Sequence, residues 1–303
     1  MKRFLFCAAA AIVALASCSK TEVVNTSAPQ EIGFKAVTGA ITKTTDFETR
    51  TDNSLGVFAN TNGTNDVYFG NTEFGKNGTN WTAGKYWPIQ GSLDFTVYAP
   101  HVNNAGYNKD TRVLTIPVED NTTAQIDWLY GKERYLNKTK TNAPITTILN
   151  HGLSKITVTI QADAANVYTV SSIKLNNTDQ AGSLIVTYKA DGTFDNINPT
   201  PADPAVKGDL EFANTDSETI VTANTTVPQK SLYVFPSAQT SFTVSYSLAG
   251  SVGTHTGTVN LSNNWVSGMH YTYNLKLTAT QIEFSEPTIS AWGDGGTTTP
   301  VVM

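Results

Sequence analysis

The sequence predicts an all-β protein built from two tandem antiparallel β-sandwich domains. Its strands are short runs in which Thr alternates with Val, Ile, Leu, Tyr or Phe, as in Lys155-Ile156-Thr157-Val158-Thr159-Ile160. This alternation is typical of strands with one buried and one solvated face. Gly, Asn, Asp and Pro separate the runs, and beyond residues 1–17 no stretch keeps a 3.6-residue apolar period. Strands spaced in this way over both halves of the chain favour β-sandwiches.

The first residues form a separate export segment. Lys2 and Arg3 precede an apolar run at residues 4–15, which is too short for a membrane-spanning helix but suits a secretory signal. The run ends in Leu15-Ala16-Ser17-Cys18, which resembles the lipobox of bacterial lipoproteins. The resemblance implies that residues 1–17 are removed as a signal peptide and that Cys18 is lipidated. The alternative is an ordinary signal peptide that happens to contain a cysteine.

The composition excludes several classes of function. Of the 303 residues, 20 are Lys or Arg and 25 are Asp or Glu. Removal of the predicted signal peptide takes away Lys2 and Arg3, which leaves 18 basic and 25 acidic residues and a formal charge of −7. A mildly acidic chain of this kind has no electrostatic footprint for nucleic acid. The two cysteines are Cys7 and Cys18, so the mature chain is predicted to hold no disulfide. No pattern in the sequence indicates a cofactor.

The mature chain divides into a tether and two domains. Residues 18–30 are rich in Ser, Thr and Asn and are predicted to be a flexible tether. Breakers around Asn150-His151-Gly152 place the boundary near residue 151, which gives domains at 31–150 and 151–303. Residues 193–208 are predicted to be a long loop within the second domain. The predicted strands are 32–37, 55–59, 93–99, 112–118, 126–131 and 145–149, then 153–161, 168–175, 183–188, 219–222, 231–235, 242–247, 253–260, 270–277 and 282–289.

Three groups of residues, in order along the chain, resemble the fimbrillin family of Bacteroidales. They are Tyr86-Trp87-Pro88 with Tyr98-Ala99-Pro100, then His151-Gly152-Leu153-Ser154-Lys155, and finally Trp265-Val266-Ser267-Gly268 with Tyr271-Thr272-Tyr273-Asn274-Leu275. The resemblance implies transthyretin-like sandwich domains in a fimbrial subunit or surface adhesin. Its implied partners are other fimbrial subunits and a receptor or glycan on a host or bacterial surface. Its implied location is the surface of the outer membrane, through the lipid on Cys18, or the fimbrium after processing.

The resemblance also implies assembly by strand exchange. An Arg- or Lys-directed protease would remove the first strand, and the vacated groove would accept a strand from a neighbouring subunit. Here Ile32, Phe34 and Ala36 are the alternating apolar residues of the exchanged strand, and Arg50 or Lys43 is the cleavage site; the alternative is that both are ordinary loop charges. Residues 297–302 contain a proline and follow several glycines, a poor composition for a donor strand. Stalk, tip, anchor and accessory positions in a fimbria therefore all remain open.

Neither catalysis nor metal binding is predicted. The four histidines, His101, His151, His255 and His270, do not have metal-ligand spacing, and no His-Glu-x-x-His or Gly-x-Ser-x-Gly motif occurs.

Aromatic residues support an alternative function, that of a glycan-binding surface lipoprotein in a polysaccharide-uptake complex. Trp81 follows a polar turn at residues 77–80 and is predicted to be exposed, which makes it the candidate glycan contact. Tyr86 and Trp87 are expected instead to plug the edge of the sandwich.

Overall fold

The chain forms only β-strands as regular structure within the residues that the computed structural model describes. These are residues 28–38, 54–64, 66–119, 125–163, 166–212, 219–222, 227–228, 231–236, 240–262, 264–279, 281–284 and 286–292. The predicted all-β class is thus confirmed. No helix in this part of the chain has the length and apolar character needed to cross a bilayer.

Strands β1 to β10 come from the first half of the chain and β11 to β23 from the second. The first ten are β1 (Glu31–Thr38), β2 (Leu55–Thr61), β3 (Val67–Asn77), β4 (Asn80–Tyr86), β5 (Leu93–Ala99), β6 (Gly106–Asn108), β7 (Val113–Val118), β8 (Leu129–Gly131), β9 (Tyr135–Lys138) and β10 (Ile145–His151). The others are β11 (Ser154–Ala162), β12 (Tyr168–Asp179), β13 (Gly182–Tyr188), β14 (Phe194–Pro201), β15 (Lys207–Glu211), β16 (Thr219–Val221), β17 (Val227–Pro228), β18 (Leu232–Val234), β19 (Ser241–Leu248), β20 (His255–Asn260), β21 (Met269–Leu277), β22 (Ile282–Phe284) and β23 (Thr288–Ala291).

The first half contains a sheet that closes on itself. Its strands are hydrogen-bonded in the order β2-β3-β4-β1-β10-β8-β5, and β5 pairs back with β2, from Gly56 opposite Tyr98 to Thr61 opposite Leu93. Closure removes the exposed edges of a sheet. The apolar side chains inside include Ile32, Phe34, Val57, Phe74, Trp81, Phe95 and Leu149, all without exposed surface. The structure therefore shows a barrel in this half and does not confirm two tandem sandwiches of transthyretin type.

A four-stranded sheet covers part of the outside of this barrel and joins the two halves. Its order is β14-β13-β7-β6, so that β13 of the second half pairs with β7 of the first, from Gly182 opposite Val118 to Thr187 opposite Val113. A second core lies beneath it, where Phe58, Tyr98 and Tyr130 of the barrel meet Leu114, Ile116, Leu184, Val186 and Tyr188. The predicted division at residue 151 thus assigns β13 and β14 to the second domain, although they pair with a strand of the first.

The rest of the second half is a two-sheet sandwich. One sheet has β11 and β21 at its centre, flanked by β17 and β18 on one side and by β22 and β23 on the other; the second has the order β15-β12-β19-β20, with β16 also on β12. Between them lies the largest described core, which includes Ile156, Val170, Phe242, Tyr271 and Tyr273. This part agrees with the predicted sandwich.

Two strand pairs are parallel, contrary to the predicted antiparallel sheets. β1 runs parallel to β10, and β11 runs parallel to β21. The error has a simple physical reason: side chains alternate across a strand in either direction, so a period of two carries no information about the direction of its neighbour.

Candidate functional site at the first strand

The first strand is one of the seven strands that close the barrel. β1 pairs antiparallel with β4, where Gly33 lies opposite Thr82 and Phe34 opposite Trp81. On its other side it pairs in parallel with β10, from Phe34 opposite Ile145 to Thr38 opposite Leu149. β1 therefore has no free edge, and its backbone hydrogen bonds are made to strands from two distant parts of the chain.

The side chains of β1 alternate between two faces over most of the strand. Ile32, Phe34 and Ala36 have no exposed surface, whereas Glu31 and Lys35 on the other face are exposed; Val37, near the end of the strand, is buried as well. This is the alternation expected for a strand with one face in a core.

The Phe34 ring lies at the centre of the barrel core. Its centroid is 5.2 Å from that of Phe74 and 5.4 Å from that of Phe95, and both pairs are edge-on. Edge-to-face aromatic pairs add to the hydrophobic gain of burial. Phe34 thus packs against residues of strands β3 and β5, and Ala36 is buried in the same core.

Trp81 is buried, and the prediction that it is exposed is wrong. It has no exposed surface, because the preceding residues form a tight hairpin in which Asn77 pairs with Asn80 and Gly78 has a φ of 65°. This turn places Trp81 one residue inside β4, with its side chain in the barrel. A side chain in that position has no surface to offer a glycan.

The two aromatic residues at the end of β4 differ from each other. Trp87 is buried, and its ring packs edge-on against Phe95 at 5.7 Å, as expected of a plug. Tyr86 is 48 % exposed, contrary to the same expectation. The Trp87 amide donates a hydrogen bond of 2.9 Å to the Gln30 carbonyl, which holds the start of β1 against the end of β4.

Three predicted functional residues lie outside the described residues. These are Cys18, the predicted lipidation site, and Lys43 and Arg50, the candidate cleavage sites. Lys43 and Arg50 both belong to the segment that connects β1 with β2.

A second cluster of side chains fixes the joint between the halves. The His151 ring nitrogen Nδ1 lies 3.0 Å from both carboxylate oxygens of Asp127, so it donates to them. The His151 ring stacks on that of Trp292 at 3.7 Å and 7°. Tyr233 also stacks on Trp292 at 5.1 Å, and the Lys155 ammonium lies 5.7 Å from the same ring.

This arrangement gives the His151-Gly152-Leu153-Ser154-Lys155 motif a structural role, since its His and its Lys hold one tryptophan near the end of the chain. Asp127, Tyr233 and Trp292 were not predicted to meet, because they are far apart in sequence and no local pattern connects them.

The described residues provide no metal-ligand group of three or more His, Cys, Asp or Glu side chains. Burial, and secondarily the charge of Lys155, lowers the pKa of His270 to about 4. Its Nε2 lies 2.8 Å from the Thr157 hydroxyl.

A family model described as fimbrillin-like matches residues 41–292. The chain belongs to the fimbrillin-like family. No curated protein sequence matches the chain.

Two solved structures of candidate cell adhesion proteins share the fold of this fimbrillin-like chain. A candidate cell adhesion protein from Bacteroides uniformis has a TM-score of 0.56 at 17 % identity, over 86 % of this chain and 98 % of that one. Another from Bacteroides ovatus has a TM-score of 0.54 at 15 % identity, over 88 % and 98 %. The tip fimbrial protein Mfa3 of Porphyromonas gingivalis, truncated at its C-terminus, has a TM-score of 0.46 at 13 % identity, over 86 % and 98 %.

The matched range and the barrel do not coincide. Six of the seven barrel strands lie within residues 41–292, whereas β1 precedes that range. The fimbrillin-like part of the chain therefore closes its barrel with a strand that stands before it.

Proposed function

We propose that this fimbrillin-like chain is a non-enzymatic subunit of a surface fimbria or a surface adhesin, exported as a lipoprotein. We further propose that removal of β1 converts it into an acceptor for a strand of another subunit. The observation that carries this proposal is the position of β1, which is paired on both sides and whose inner face fills the barrel core.

Removal of β1 would leave a slot that favours refilling. β4 and β10 would each lose a row of hydrogen-bond partners, and unpaired strand edges readily accept another strand. The loss of apolar burial would also lower the stability substantially, because burial of each Ile or Phe side chain stabilises the folded state by about 1.5–3 kcal/mol. An incoming strand with apolar residues at alternate positions would restore both contributions.

The slot also sets a sequence requirement. The socket formed by Phe74 and Phe95 fits an aromatic ring at the position of Phe34. Residues 297–302 of this chain, Thr-Thr-Thr-Pro-Val-Val, contain no aromatic residue and include a proline. This favours an incoming strand from a different subunit over the end of a second copy.

The proposed trigger lies in the connection between β1 and β2. Cleavage after Arg50 would separate residues 18–50, which carry both the predicted lipid and β1, from the rest of the protein. Only noncovalent contacts would then hold β1 in the barrel. In this scheme the lipid on Cys18 delivers the subunit to the outer membrane, and cleavage transfers it to the fimbria.

The test is N-terminal sequencing of the protein recovered from the cell surface, combined with digestion by an Arg-specific protease. The expected mature start is Thr51, with SDS-resistant oligomers after cleavage. Arg50→Ala should abolish both, whereas Lys43→Ala should leave them unchanged. A protein that starts at Cys18 and stays monomeric after digestion would contradict strand exchange and leave the adhesin function as the proposal.

A further inference from the structure

A cleft of about 360 Å³ opens on the barrel, and its lining includes no residue of β1 or of the strands β4 and β10 that flank it. It lies between the start of β3 and the short strand β6, which forms one edge of the four-stranded sheet. Because β6 has only three residues, it leaves the adjacent barrel surface uncovered. Neither strand exchange nor the joint between the halves uses this cleft.

Three aromatic residues line the cleft, Phe58, Phe69 and Tyr107. The rings of Phe58 and Tyr107 have centroids 5.8 Å apart and are tilted by 47°. The guanidinium carbon of Arg134 lies 5.4 Å from the centre of the Tyr107 ring, which helps to fix that ring in place. Rings held in this way provide an apolar surface for the C–H face of a pyranose.

Polar side chains on strands β2 and β6 complete the lining. Asn60 of β2 and Asn108 of β6 contribute amide groups. The side-chain oxygen of Asn108 accepts hydrogen bonds from the Asp110 and Thr111 amides, each of 3.0 Å. The nitrogen of that amide is consequently left as its donor. Sugar hydroxyls are recognised by amide groups of this kind because they both donate and accept hydrogen bonds.

The charge of the cleft is balanced. Lys109 is the cation among the lining residues, and its ammonium lies 2.9 Å from the Asp110 carboxylate, which also lines the cleft. A sulfated, phosphorylated or carboxylated ligand would have to compete with this carboxylate for the ammonium. A purely apolar ligand would offer no hydrogen-bond acceptor to the side-chain nitrogen of Asn108. The paired charges and the amide group together favour a ligand that is uncharged and rich in hydroxyl groups.

We propose that this cleft binds a neutral glycan, through packing of a sugar face on the partly exposed Tyr107 ring and hydrogen bonds to the exposed Asn108 amide, with the mostly buried Phe58 and Asn60 as further lining residues. The volume lies near the lower end of the range for ligand sites in proteins, which fits a terminal sugar or a short segment of a chain. The cleft is built from β2, β3 and β6, so this proposal does not depend on cleavage or on strand exchange. It gives an adhesin function a defined contact surface.

Gly70 allows the cleft to be blocked without disturbing the core. Gly70 lies on β3 and lines the cleft, and a side chain added there would meet no other atom within 4 Å. Gly75 has the same open surroundings on the same strand but does not line the cleft. Gly70→Leu is therefore the blocking variant and Gly75→Leu its matched control. Val67→Trp, at a lining residue that is 64 % exposed, is a second blocking variant.

The experiment is calorimetric titration of the full mature chain with a panel of neutral and acidic oligosaccharides. Binding of at least one neutral oligosaccharide is expected, with a loss of tenfold or more in Gly70→Leu and Val67→Trp and no change in Gly75→Leu. Circular dichroism and the thermal midpoint establish that each variant is folded. No binding of any neutral oligosaccharide, stronger binding of acidic ones, or equal affinity in Gly70→Leu and Gly75→Leu would overturn the proposal.

Discussion

Phe34→Ala is the change that tests most directly how β1 is held. The side chain has no exposed surface and makes edge-on contacts with Phe74 and Phe95. Truncation of a buried Phe to Ala typically costs 3–5 kcal/mol, because apolar area is lost and a cavity is left. We therefore expect a loss of about 4 kcal/mol in the free energy of unfolding, within a total of about 5–15 kcal/mol for a typical domain. This corresponds to a change of roughly a thousandfold in the folding equilibrium.

The assay is chemical denaturation of the mature chain, followed by tryptophan fluorescence. The matched control is Lys35→Ala, the next residue on the same strand, whose side chain is exposed; its effect should stay within about 0.5 kcal/mol. A loss below about 1 kcal/mol for Phe34→Ala would refute the argument that packing of its inner face holds β1. The aromatic requirement of the slot would then also be wrong.

Three other predictions concern the joint, the pH dependence and the slot. Trp292→Ala should lower the free energy of unfolding by about 2 kcal/mol, since Trp292 is partly exposed and loses stacking on His151 and Tyr233; an unchanged denaturation midpoint would contradict this. Because the pKa of His270 is lowered from 6.5 to about 4, the stability it contributes is complete above pH 6.5 and is lost as pH falls toward 4. An NMR titration in which His270 of the folded protein protonates near its ordinary pKa would refute this assignment. A peptide of residues 30–38 should displace β1 from the chain that has been cleaved after Arg50, whereas a peptide of residues 293–303 should not. Equal displacement of β1 by the two peptides would contradict the requirement of the slot for an aromatic residue.

Individual strands could be predicted from the sequence where one face is apolar and the other polar. The runs at 32–37 and 153–161 correspond to β1 and β11 with shifts of one residue at their ends. The run at 153–161 keeps a strict alternation of buried and partly buried residues over most of β11. In such segments local pattern and tertiary burial agree, which is why the prediction succeeds.

Other strands were missed for identifiable reasons. β3 and β4 carry glycines, asparagines and lysines on their outer face, and only residues such as Phe69, Phe74 and Trp81 reveal an inner one. Pro199 and Pro201 favour a loop at residues 193–208, where the structure has β14. It lies at the edge of its sheet, where proline is tolerated because one side of the strand needs no backbone donor.

The closure of the barrel could not be predicted at all. It depends on β5 pairing with β2 and on β1 pairing with β10, which follows more than a hundred residues later. The cleft that Phe58 and Tyr107 line has the same origin, since these residues meet only after the four-stranded sheet has docked on the barrel. Which distant strands pair depends on how all the apolar side chains of the core pack together, and no local sequence pattern carries that information.

Closure of the barrel by β1 couples the stability of the subunit to its proposed assembly. The same contacts of Ile32, Phe34 and Ala36 stabilise the uncleaved barrel and oppose departure of β1 after cleavage. The backbone hydrogen bonds would be similar for β1 and for an incoming strand. An incoming strand can therefore replace β1 only if its apolar contacts are at least as favourable as those of β1. Strengthening the inner face of β1 would stabilise the precursor and slow exchange, whereas weakening it would do the reverse. The inner face of the first strand, rather than its exposed face or its edges, is thus where selectivity for a partner would reside.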